Sequence, residues 1–138
     1  MSTEFIWPIR VYYEDTDAGG VVYYANYLKY YERARSEWLN QLDIDQPALL
    51  QENTVFVVTK VEVDYIRPAR LNDRLLVKSR ITRLSAAGII FEQRLELEQE
   101  STNIELNRAI VKVACLNLDS FTPCRIPAKV REEFQRVC

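Results

Sequence analysis

The residues best suited to chemistry sit together near the start of the chain. Asp15 and Asp17 come just before a glycine pair, Gly19 and Gly20, in the run DTDAGGVVYYANY over residues 15–27. Only three glycines occur in 138 residues. Two side by side mark a point where the backbone must turn sharply or let something approach closely. No histidine is present. Acid–base work near neutral pH therefore falls to a carboxylate, a perturbed cysteine or lysine, or water. Histidine triads and His-ligated zinc sites are excluded.

A loop of this kind can deliver a carboxylate to the start of a helix. The first backbone N–H groups of a helix lack intrahelical partners, carry partial positive charge, and can hold an anion or a polarised carbonyl oxygen. A carboxylate beside such donors is the minimal equipment for acyl transfer to water. One group attacks or activates water and the other stabilises the oxyanion. Two alternatives share the same residues. In a calcium loop counted from Asp15, Asp17 and Gly20 fall correctly, but Asn26 stands where a bidentate Glu is needed and a strand precedes the loop. A plain strand-to-helix turn accounts for the glycines, but less well for the acidic pair before them and the aromatics after them.

The elements that would position this loop follow from periodicity. WPIRVYY (7–13) reads as a first strand. Tyr27, Tyr30, Tyr31, Ala34 and Trp38 recur at helical spacing and predict a helix from about Ala25 to Leu42. A short helical turn over Pro47–Glu52 follows. The period then becomes two: in 55–66, Val57, Thr59, Val61, Val63 and Tyr65 alternate with the rest. Strands at 74–84, 88–100 and 104–118 come next, joined by links short enough for hairpins. The tail from Pro127 reads as a surface helix. The expected class is α+β, a curved and mainly antiparallel sheet of about five strands, largely a meander, wrapped around one long helix. This is the hotdog fold.

The length fits a single domain over 1–138 with a real core. Eighteen basic and 20 acidic side chains give a net charge of −2, which argues against a general nucleic-acid binder. No run approaches a membrane span, and the first residues lack the pattern of a secretory signal. Cys115, Cys124 and Cys138 form no CxxC pair and read as reduced thiols of a cytoplasmic protein, with neither metal nor disulfide framework. Cys115 falls in an alternating strand, where a buried, inert thiol is expected.

The run RVYYEDTDAGGVVYYANYLKYYERARSEWL closely resembles the signature of the 4-hydroxybenzoyl-CoA thioesterase family of hotdog enzymes. It is most similar to the YbgC-type branch of acyl-CoA thioesterases, encoded with the bacterial Tol-Pal system. The likeness continues through FVVTKVEVDY (56–65), PARLND (68–73) and VKVACLNLD (111–119). The resemblance implies hydrolysis of acyl-CoA to free acid and coenzyme A with no metal or organic cofactor. Asp17 is then the catalytic carboxylate, as nucleophile or as general base, and the backbone N–H at Tyr24 polarises the thioester carbonyl. Gly19, Gly20, Val22, Asn26 and Tyr27 match the rest of the motif. The YbgC-type branch usually carries histidine at position 24, whereas the hydroxybenzoyl branch carries tyrosine. A phenol with pKa of about 10 stays a neutral donor where imidazole would titrate.

Tyr23, Tyr24 and Tyr27 are close enough in sequence to Asp17 to line a pocket, while Tyr30 and Tyr31 read as core. Asp15 is expected to cap or pair. For the phosphates of coenzyme A the candidates are Arg67, Arg70 and Arg83, within a basic cluster that also holds Arg74, Lys78 and Arg80. The competing reading is a solvated strand face balanced by Glu92, Glu96 and Glu98. In this family the acyl site commonly lies between subunits, so Lys60 could reach a neighbouring chain's site. A homodimer that pairs again into a homotetramer is expected. The alternatives are a thioesterase acting on acyl carrier protein and a non-catalytic module that binds acyl-CoA or acyl carrier protein.

Overall fold

A computed structural model describes residues 3–138. In chain order the elements are β1 (Phe5–Arg10), α1 (Asn26–Gln41), α2 (Gln46–Gln51), β2 (Thr54–Tyr65), β3 (Arg74–Leu84), β4 (Gly88–Leu97), β5 (Ile104–Asn117), β6 (Thr122–Pro123) and α3 (Ala128–Val137). The strands form one antiparallel sheet in the order β1-β3-β4-β5-β2, with the two-residue β6 added to β5. Its inner face curls around α1, which is the hotdog arrangement.

The long helix forms where its spacing demands. Tyr27, Tyr30, Tyr31, Ala34, Trp38 and Leu39 are its buried residues, and they make one stripe. It stops in a Schellman turn without glycine. Asp43 takes φ 59°, its N–H donates to Asn40 O at 3.1 Å, and the Ile44 N–H donates to Leu39 O at 2.9 Å. Asp45 then caps α2 by accepting from the Ala48 N–H at 3.1 Å, with Pro47 in the first turn. Phe5 of β1 stacks on Trp38 at 5.6 Å, and Phe134 of α3 meets Phe56 of β2 edge-on at 6.0 Å. These contacts close the two flanks of the core.

Three expectations change. The first strand lies at Phe5–Arg10 and not at 7–13, because the Val11 N–H turns to Asp73 O (3.0 Å) and the Asp15 carboxylate takes the Tyr12 N–H (2.9 Å). Only β3, β4 and β5 form a meander; β2 crosses to the far edge of the sheet and pairs with β5. The alternation of β2 also breaks. Val58 pairs with Val113 and Lys60 with Lys112, so Thr59 is an extra, bulged residue. Phe56 and Val58 therefore share the inner face with Val61 and Val63, and Val57 does not. A second bulge at Thr82 interrupts β3. Both bulged hydroxyls donate to a carbonyl on the next strand, Lys112 O and Ile90 O, at 3.3 Å.

The inner face is not wholly apolar. Ser79, Gln93 and Asn107 are fully buried there. The Gln93 amide donates to the Tyr31 carbonyl (3.0 Å) and to Ser79 Oγ (2.9 Å), and its oxygen accepts from the Arg35 guanidinium (2.9 Å). The Tyr31 hydroxyl donates to Asn107 Oδ1. Burial holds the Arg35 guanidinium below its usual pKa, against the opposing pull of Glu32. Removing the Tyr31 hydroxyl orphans a buried amide oxygen, which costs about 1–3 kcal/mol. Urea unfolding of Tyr31→Phe should show that loss as a lower midpoint at unchanged slope.

Candidate active site

The loop between β1 and α1 is shaped by its own aspartates. The Gly20 N–H donates to Asp17 O (3.0 Å) and the Asp17 N–H to Val21 O (2.9 Å), closing a tight turn across Asp17–Val21. The Gly19 N–H donates to Asp17 Oδ1 at 2.8 Å. Gly20 takes φ 78°, a region that side chains disfavour. At Gly19 a Cβ would lie 3.2 Å from Asp17 Oδ1, so a side chain there would press on the held carboxylate oxygen. The Asp17 side chain is exposed at the tip, with one oxygen held by the turn and the other facing solvent.

Asp15 does structural work behind this tip. It is buried, its carboxylate accepts from the Tyr12 N–H, and its carbonyl accepts from Asn26 Nδ2 (2.8 Å) and the Tyr23 N–H (3.1 Å). Asn26 is the first residue of α1, so this bond ties the loop to the helix start. The Tyr30 hydroxyl faces the Asp15 carboxylate without meeting it in full hydrogen-bond geometry. Burial first, then that carboxylate, raises the Tyr30 phenol well above its usual pKa.

The helix start itself has no side-chain cap, since Ala25 occupies the cap position. The Asn26 N–H donates to Tyr23 O at 2.8 Å, but the Tyr24 N–H meets no partner among the described residues. Tyr23 and Tyr24 are exposed, with their rings 5.0 Å apart.

A second segment clamps the loop from outside. Residues 66–73 leave β2 and run beside it. The Val22 N–H donates to Ala69 O (2.9 Å), Val21 bridges Arg70, and the Ala69 N–H donates to the Tyr27 hydroxyl (3.0 Å). Burial raises the Tyr27 pKa, the Ala69 N–H opposes this, and the Asp17 and Asp73 carboxylates add to the rise. Tyr27 therefore lies within the field of Asp17.

Of the expected site residues, Asp17, Gly19, Gly20, Val22, Tyr23, Tyr24, Asn26 and Tyr27 come together, with Arg67 and Arg70 on the flanking segment. Arg83 does not join them. It lies roughly 30 Å along β3 from Arg74, at about 3.3 Å per residue. It shares an outer-face row with Lys112 and Lys60, through the pairs Arg83–Ile90, Ile90–Lys112 and Lys112–Lys60. Lys60 is paired with Glu62 at 3.0 Å, an exposed bridge of little energetic weight. The basic cluster also divides by pairing. Lys78 bridges Glu96 (2.9 Å) and Arg80 bridges Glu92 (2.9 Å), as a balanced strand face would. Arg67, Arg70, Arg74 and Arg83 have no carboxylate within 4.0 Å among the described residues.

Sequence reasoning missed Tyr65. Its hydroxyl donates to the Tyr24 carbonyl at 3.3 Å, and its ring lies 6.1 Å from Tyr24 and 5.8 Å from Tyr27. A cavity of about 130 Å³, lined by Arg35, Leu39, Phe56, Val58, Phe91 and Phe134 among others, opens further along α1 and includes no residue of the loop.

A family model described as the thioesterase-like superfamily matches residues 11–134. The chain belongs to the thioesterase-like superfamily. The acyl-CoA thioester hydrolase YbgC of Escherichia coli is 44% identical over 135 residues, covering 98% of each chain. The crystal structure of a probable thioesterase from Bartonella henselae is 35% identical, with TM-score 0.78, covering 91% of this chain and 99% of that one. A 1,4-dihydroxy-2-naphthoyl-CoA thioesterase from Synechocystis is 26% identical, with TM-score 0.83, and 96% of each chain is covered. The first relative supports the branch to which the opening motif points.

Tyr27 is the hinge of the clamp, since its oxygen accepts from a buried backbone N–H. Tyr27→Phe should cost about 1–3 kcal/mol. It should also speed amide exchange at Ala69 and Val22, read by hydrogen-exchange mass spectrometry.

Proposed function

We propose that this protein hydrolyses acyl-CoA thioesters to the free acid and coenzyme A. The observation that carries the reading is the exposed Asp17 carboxylate, held in a glycine turn that leads into the start of α1, where the Tyr24 N–H has no partner among the described residues. The 44% identity to an acyl-CoA thioester hydrolase supports it. The Tyr24 N–H would donate a hydrogen bond to the carbonyl oxygen and stabilise the negative charge that grows there as the tetrahedral intermediate forms. Asp17 would act in one of two ways. It attacks the carbonyl carbon, expels the thiolate and leaves a mixed anhydride for water to open, or it takes a proton from the attacking water. Neither route calls on a metal or an organic cofactor. Gly19, Gly20 and Val22 would give the substrate close access to the backbone, with Tyr23, Asn26, Tyr27 and Tyr65 forming the wall.

Arg67 and Arg70, unpaired beside the loop, would receive phosphates of coenzyme A. Arg83 lies too far along the sheet to serve the loop of its own chain, and Lys60 shares its outer-face row, so in this reading both act on substrate held by a neighbouring chain. A homodimer is supported by the free edge of the 12-residue β2, which carries exposed Val58 and Tyr65. Pairing of two dimers gives the homotetramer. No helix among the described residues is long and apolar enough to cross a membrane.

The test is thiol release from a panel of aliphatic and aromatic acyl-CoAs, run in parallel with acyl carrier protein thioesters. Wild type should turn over acyl-CoA, and Asp17→Asn should lose on the order of 10²–10⁴ in kcat. Tyr24→Phe, which keeps the backbone N–H, should retain most turnover. Near-normal activity in Asp17→Asn sinks the assignment, and binding of acyl-CoA without release makes the protein a carrier module instead. In light scattering, the wild-type protein should run as a dimer or tetramer.

A further inference from the structure

Beyond β5 the chain makes a tight turn, adds β6, and runs on to α3. Asn117 Oδ1 closes that turn by accepting from the Asp119 N–H (3.0 Å), the Ser120 N–H (3.2 Å) and Ser120 Oγ (3.3 Å). The Cys124 N–H donates to Cys115 O at 2.9 Å, continuing the β5–β6 ladder and setting the two cysteines opposite each other. Their sulfurs lie 3.6 Å apart. Opposed residues of antiparallel strands have Cα atoms about 4.5–5.5 Å apart, within the range a disulfide spans. The S–S bond is about 2.05 Å, so closure needs only side-chain rotation. Cys115 is buried and Cys124 partly exposed. Burial, then the neighbouring Cys124 thiol, pushes the Cys115 pKa up to about 12.

We propose that Cys115 and Cys124 are a reversible disulfide site, closed by a hydroperoxide, that fastens β6 and the approach to α3 onto β5. Cys124, the accessible thiol, reacts first. Its thiolate attacks one peroxide oxygen, the O–O bond breaks, and a sulfenic acid forms as one water leaves. Cys115 Sγ then attacks the Cys124 sulfur, the S–O bond breaks, and the Cys115 proton departs with hydroxide as a second water. Two thiols are oxidised to one disulfide and one hydrogen peroxide is reduced to two waters. The site is remote from the proposed chemistry. Cys115 pairs with Phe56, while Tyr65, near the catalytic loop, lies roughly 30 Å further along β2.

The test uses the full chain treated with hydrogen peroxide, unfolded, alkylated and digested with trypsin. Cleavage after Lys112 and Arg125 leaves both cysteines in one peptide, Val113–Arg125. That peptide should be two hydrogens lighter and unalkylated, and a reductant should restore two alkylation sites. A further cut after Phe121 should leave two pieces joined only through sulfur. Amide exchange over residues 122–126 should slow in the oxidised protein, and any thioesterase activity should persist. Cys124→Ser should abolish the cross-link. The proposal is overturned if both cysteines stay alkylatable while exposed Cys138 is oxidised, if Cys124 goes on to sulfinic acid beside a free Cys115, or if the bond forms to Cys138.

Discussion

The Gln93 side chain pegs the long helix to the sheet. A fully buried primary amide must find partners for its donors and acceptor or lose several kcal/mol of solvation. Here three partners come from two elements: the Tyr31 carbonyl and Arg35 of α1, and Ser79 of β3. Apolar packing alone would let a helix slide or roll on a smooth surface. A directional contact to one backbone carbonyl fixes both its rotation and its axial position. The start of α1, and with it the Tyr24 N–H, is set by that peg two turns away.

The loop that carries Asp17 is held from two sides by groups distant in sequence. Asn26 ties it to the helix through the Asp15 carbonyl, and the segment 66–73 ties it to the sheet through Ala69. Asp15 supplies the inner surface of this clamp and Asp17 its exposed tip. Two carboxylates two residues apart thus have separate tasks: one is buried and accepts the Tyr12 N–H, and the other stands exposed at the tip. Tyr27 links both halves, since it is packed in the core and its hydroxyl also reaches the clamp.

Much of this could be read from residue order. The stripe Tyr27, Tyr30, Tyr31, Ala34 and Trp38 gives α1 to within a residue at each end, and the short links between β3, β4 and β5 give their hairpins. The loop residues 17–27 cluster because they are neighbours in the chain. What escaped was everything that depends on long-range pairing. The bulge at Thr59 is invisible because Val55–Val58 is apolar in both phases. Tyr65 reaches Tyr24 only once β2 has crossed to β5, and no periodicity in one sequence encodes that crossing. Arg83 and Arg67 look equivalent as basic residues, yet the length of β3 separates them. Cys115 and Cys124 lack any recognisable spacing, and the Asn117 turn is what sets them face to face.

The order of the strands bears on how the protein assembles. β3, β4 and β5 are joined by short connections, so their pairing closes small loops at little entropic cost. β1 must instead find β3 across the whole helical region, and β2 must find β5 across the intervening hairpins. Those closures are the slow ones. The Asp17 loop needs both, being anchored at one end by β1 and clamped by the exit of β2. A chain in which only the meander has formed therefore leaves the Asp17 loop without its anchor at β1 and its clamp at the exit of β2.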